Sequence, residues 1–119
     1  ARLAAERAEP GDVAALADLA EQARRAFEAG EIEAMSDANA AFHDTLVELS
    51  GNELLATMLE PLHGRLAYLF RMNLEPDRVC REHEELQAAI SAGDADRAAA
   101  VAKQHVLSSR RMVLERMLP

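Results

Sequence analysis

At 119 residues, half of them apolar and 29% charged, the chain has the size of one domain and a composition that suits a water-soluble fold. Thirteen Lys and Arg against 21 Asp and Glu leave a formal charge of −8, so nucleic acid is expected to be repelled by this chain itself. The longest apolar run is Leu66-Ala67-Tyr68-Leu69-Phe70, far short of the roughly 18 residues that span a bilayer, and no membrane partner is expected.

Twenty-five alanines, sixteen leucines and apolar positions spaced by three and four predict an all-α antiparallel bundle of about six helices in a single domain over residues 1–119. The stretch Ala1 to Ala8 lacks the apolar core of a signal peptide and reads as the tail of an amphipathic helix. The first helix is therefore expected to be truncated and the chain to be a fragment of something longer. Pro10-Gly11-Asp12 ends that piece and caps a second helix from about residue 12 to 29, with Gly30 at the left-handed position that closes it. A third helix runs from about Glu31 to Ser50 and is ended by Gly51. Asn52 N-caps a long fourth helix from Glu53 to about Met72 or Asn73. Pro61 inside it is expected to kink or locally widen the helix without breaking it, because the apolar spacing resumes at Leu62, Leu66 and Leu69. Pro76-Asp77 opens a fifth helix that ends near Ser91-Ala92-Gly93, and Asp94 caps a sixth that runs to about Met117. The lone cysteine, Cys80, cannot make an internal disulfide; it reads as a packing residue and fits a reducing, cytoplasmic location.

Three of the four histidines fall on apolar faces. Val79, His83, Leu86 and Ile90 share one stripe of the fifth helix, and Ala98, Val101, His105 and Met112 share one of the sixth. On the third, Asn39 and His43 stand one turn apart and can aim two donor atoms at one point. A single inward histidine is ordinarily a hydrogen-bonded core residue. Three on three helices of one small bundle are more economically explained by a shared divalent cation, since each unsatisfied buried group costs about 1–3 kcal/mol. Nitrogen-rich donors suit Zn²⁺, Ni²⁺ or another late first-row ion. His63 has no partner at one-turn spacing and reads as structural or exposed. Arg65 lies at i+3 from Leu62 and i−4 from Leu69, where its stem can lie along the apolar face with a solvated head, or its guanidinium can reach into a cavity. Glu82, Glu84 and Glu85 read as a solvated face around His83.

Two catalytic metal motifs fail. His83-Glu84-Glu85-Leu86-Gln87 has Gln87 where a zincin helix needs its second histidine, and the residues three before His43, His83 and His105 are Ala40, Cys80 and Ala102, not the glutamates of a di-iron bundle.

Phe42-His43 with a polar residue four before the histidine, then Leu49-Ser50-Gly51-Asn52-Glu53-Leu54-Leu55, then Glu82 to Asp94 with its His83, Ala89-Ile90 and Gly93-Asp94, then His105, resembles the effector-binding domain of GntR-type bacterial transcription regulators in the FadR-like, or FCD, branch. The resemblance covers essentially the whole chain. It implies a bundle of six or seven helices around a metal held by Asn39, His43, His83 and His105, in a domain that is not an enzyme. The first of these positions is often Asp in the family. Asn39 brings no charge, so the site keeps the full 2+ of the ion and favours a carboxylate. The effector implied is a small organic acid or sugar acid, with Arg65 as a second contact. The resemblance also implies a cytoplasmic homodimer that meets operator DNA only through an N-terminal winged helix-turn-helix domain, which is absent from this chain. The alternatives are a small metal-dependent hydrolase, for which no inward general base stands out, and a purely structural helical dimerisation module.

Overall fold

The computed structural model describes residues 1–72 and 75–117. Among them are seven α-helices and no strand: α1 (Arg2–Arg7), α2 (Pro10–Glu28), α3 (Ile32–Leu49), α4 (Glu53–Leu59), α5 (His63–Arg71), α6 (Pro76–Ser91) and α7 (Ala95–Met117), with one 3₁₀ turn, Glu60–Leu62, between α4 and α5. The all-α expectation holds, and most boundaries follow the predicted punctuation. Asn52 Oδ1 accepts from the Leu55 amide at 3.0 Å, and Asp94 Oδ1 from the Arg97 amide at 3.1 Å. Gly30, at φ 74°, ends α2, and the Glu31 amide reaches back to the Ala26 carbonyl at 2.8 Å; a side chain at that left-handed φ would be strained. Helix α2 begins two residues earlier than expected, at Pro10, whose fixed φ and missing N–H suit the first helical position. Asp12 still serves that end by accepting the Glu9 amide at 3.0 Å.

The fourth segment departs from expectation. It is not one helix with a widened turn but two short helices joined by a tightened one. Pro61 has no N–H to donate and its ring crowds the carbonyl four residues back. The chain answers by closing a three-residue turn, while Leu59, Glu60, Leu62 and His63 all keep right-handed helical dihedrals. The alternative end of this segment at Asn73 lies outside the described residues; α5 stops at Arg71, capped by Met72.

The core is built from small residues. Leu16, Ala20, Ala23 and Ala26 make the buried stripe of α2, which packs against both α3 and α6, and alanine at the contacts lets the helix axes come close. Phe42, Leu86, Ala89, Ile90 and Ala98 complete the main cluster where α3, α6 and α7 meet. Cys80 is buried in a second cluster with Ala23, Ala26, Met35 and Ala38, in keeping with a packing role. The arm α4–α5 is different: no residue from Gly51 through Met72 is buried, and its main neighbour is α3. This arm forms one wall of the open cavity described next.

Candidate metal centre and ligand cavity

The predicted inward stripes place their histidines together. His43 from α3, His83 from α6 and His105 from α7 have ring centroids 4.8 Å (43 to 83), 4.8 Å (83 to 105) and 5.3 Å (43 to 105) apart. One donor nitrogen from each lies within 4.8 Å of the others. His83 is only 1% exposed, and Phe42, one residue before His43, lies flat against its ring with centroids 4.3 Å apart and planes 6° from parallel. Phe70 of α5 stacks on His43 in the same way at 4.8 Å. Two aromatic rings thus fix two imidazoles in orientation.

Burial strips these rings of charge. It pushes His43 down to about 3, helped by the neighbouring His105, and pushes His83 well below the ordinary histidine range, helped by His43 and His105. Both are neutral at physiological pH and hold lone pairs available to a cation. Four buried polar atoms in this small volume lack a hydrogen-bond partner: His43 Nε2, both ring nitrogens of His83, and Oδ1 of Asn39, which is one turn before His43 and 3% exposed. Buried polar groups are nearly always satisfied. Three imidazoles and an amide oxygen that leave four such atoms orphaned form a donor set that fits a late first-row divalent ion.

Sequence reasoning missed one member of this constellation. Glu82 is not part of a solvated face: its carboxylate accepts from His105 Nδ1 at 2.7 Å and from Arg78 Nη1 at 2.7 Å, with its side chain 15% exposed. Glu84 and Glu85 are exposed as expected, Glu84 paired with Arg24 at 2.8 Å. The signal for Glu82 was present, since it stands at i+3 from Val79 and i−4 from Leu86, on the edge of the same stripe that carries His83. By holding the His105 proton on Nδ1, Glu82 leaves Nε2 as the lone-pair donor. Glu82→Gln is expected to weaken metal binding on the order of tenfold, measured by competition with a chromogenic chelator, while helix content stays unchanged.

Beside the cluster lies a cavity of about 930 Å³ that opens to solvent between α3, the α4–α5 arm and the second half of α7. Asn39, His43 and His105 form its polar end; His83 sits behind them and does not line it. Arg65 is exposed and not among the lining residues; the arginine that lines the cavity is Arg110 on α7. His63 is exposed, as expected, and its Nδ1 stands 3.3 Å from Asp44 Oδ1 at the cavity rim.

A helical bundle that keeps buried donors unsatisfied at the end of an apolar-walled cavity has the construction of a ligand-binding module. Residues 1–108 match the FCD domain, a family of regulatory effector-binding modules, and the chain belongs to that family. A comparison with curated proteins gave no match. No helix among the described residues is long and apolar enough to cross a membrane.

Proposed function

We propose that the chain is the effector-sensing domain of a GntR-type transcription regulator of the FadR-like branch. In this reading it holds a divalent metal, zinc before nickel or another first-row ion, on Asn39, His43, His83 and His105, and takes a carboxylate effector in the adjoining cavity. The observation that carries the reading is the set of four orphaned donor atoms buried next to that cavity. When bound, the ion supplies positive charge and Lewis acidity to a carboxylate oxygen. The chain's own residues do the rest: Phe42 and Phe70 fix the rings, Glu82 sets the tautomer of His105, and Arg110 offers a second positive group on the cavity wall. The hydrolase alternative needs a general base beside the histidines, and Glu82, the carboxylate in contact with them, is held between Arg78 and His105.

The cavity is walled in part by α3 and α7, which carry donors of the site, and by α5, whose Phe70 stacks on His43, so an effector that prefers one packing of these helices over another shifts their relative placement. In a cytoplasmic homodimer, that shift would reposition two winged helix-turn-helix domains on operator DNA, a contact not expected of a chain with a formal charge of −8. Elemental analysis of the purified chain is expected to find about one equivalent of transition metal. A carboxylate at 100 times its Kd should then add roughly 2.7 kcal/mol of stability in thermal melts, and chelation should remove most of that gain. Stabilisation unaffected by chelation, or no metal after purification and reloading, would overturn the reading.

A further inference from the structure

The cavity wall narrows the class of effector, given the reading of the site as a carboxylate sensor. Asn39, His43 and His105 meet the cavity where it adjoins the histidine cluster, and Thr57, His63, Ser109 and Arg110 are the other donor-bearing residues of its lining. Away from the cluster the lining is dominated by aliphatic side chains, Leu46 and Val47 from α3, Leu59 and Leu69 from the arm, and Val113 and Leu114 from α7. A volume of about 930 Å³ is near the top of the range for pockets that enclose drug-sized molecules. An acid of two to four carbons would leave these walls against water, and a polyhydroxylated acid would press several hydroxyls against them without partners. The Thr57 hydroxyl, which also lines the cavity, already donates to the Glu53 carbonyl at 2.9 Å. The exposed carboxylates Asp44, Glu48 and Glu60 ring the cavity, while Arg110 is the one Arg or Lys among its lining residues. A second carboxylate on the ligand would meet repulsion there.

We propose that the effector is an amphipathic monocarboxylate, with its acid head at the Asn39, His43 and His105 end and an apolar body of about six carbons or more along the aliphatic wall, long enough to cover side chains that a shorter acid leaves against water. The body supplies affinity through buried apolar surface and the head supplies orientation.

The test is calorimetric titration of the metal-loaded chain with acetate, butanoate, hexanoate, octanoate and decanoate, alongside gluconate, citrate and 1-octanol. Affinity is expected to rise about fourfold for each added methylene up to at least octanoate. Gluconate and citrate should bind more weakly than hexanoate, and 1-octanol at least tenfold more weakly than octanoate. Leu69→Asn, on the half-exposed arm, should lower octanoate affinity about tenfold and leave acetate where it was. A flat series, or gluconate or citrate binding tightest with binding still sensitive to chelation, overturns the amphipathic class and spares the carboxylate sensor. Octanol binding as tightly as octanoate instead removes the carboxylate head, and with it the sensor reading. No binding by any member of the series overturns the proposal as well.

Discussion

His83→Ala is expected to leave the purified chain with less than a tenth of an equivalent of bound metal, where the parent holds about one. Structural zinc sites with four protein donors are worth about 10–16 kcal/mol, so one donor carries roughly 3 kcal/mol, which is about two orders of magnitude in Kd. His83 is the strongest choice for the test because neither of its ring nitrogens has a protein partner and its ring is almost fully enclosed. Nothing in the bundle would miss its hydrogen bonds if no ion used them. His105→Ala should behave alike, with the added cost that Glu82, itself bonded by Arg78, loses the imidazole it holds in place. His63→Ala is the control: that ring is exposed, pairs with Asp44 on the surface, and should leave the metal content unchanged. Dialysis against a chelator of known affinity followed by elemental analysis gives the readout, with circular dichroism confirming that each variant stays helical. Full retention of metal by His83→Ala or His105→Ala would show the ligand assignment to be wrong.

How far the sequence foretells this site depends on which forces set each part. Helix ends were legible because capping is local: Asn52 and Asp94 cap within three residues of themselves, and Gly30 closes α2 through its own φ. The inward histidines were legible because a helix face is also local, and the stripes holding His83 and His105 are buried as spacing required. The convergence of those faces on one point is a tertiary fact, which spacing could only make economical. Pro61 was legible as a disturbance but not as a tightening, since the choice between a wider and a narrower turn rests on how the flanking helices seat against α3. Arg65 and Arg110 show the limit most clearly. Both sit at margins of apolar faces, and only the path of α5 relative to α7 decides which arginine lines the cavity. Glu82 belongs between these cases: its place on the stripe edge was readable, whereas its partner 23 residues onward in α7 was not.

Phe42→Ala is expected to cost about 3–5 kcal/mol of folding stability, the usual range for emptying a fully buried phenylalanine site. Phe42 is 0% exposed and belongs to the main core cluster with Leu16, Leu86, Ile90 and Ala98, so its removal opens a void among residues from four helices. Stability alone does not capture its part. The ring is also the platform on which His83 lies, and the two are parallel within 6°; without it the imidazole can rotate out of the arrangement shared with His43 and His105. Phe42→Leu separates these contributions, since leucine refills much of the volume but offers no flat face. Phe42→Leu should therefore recover most of the stability measured by urea denaturation in the presence of chelator, yet still bind metal several-fold more weakly than the parent. Parent-like metal affinity in Phe42→Leu would mean that the aromatic face does no orienting and that Phe42 serves only to fill the core.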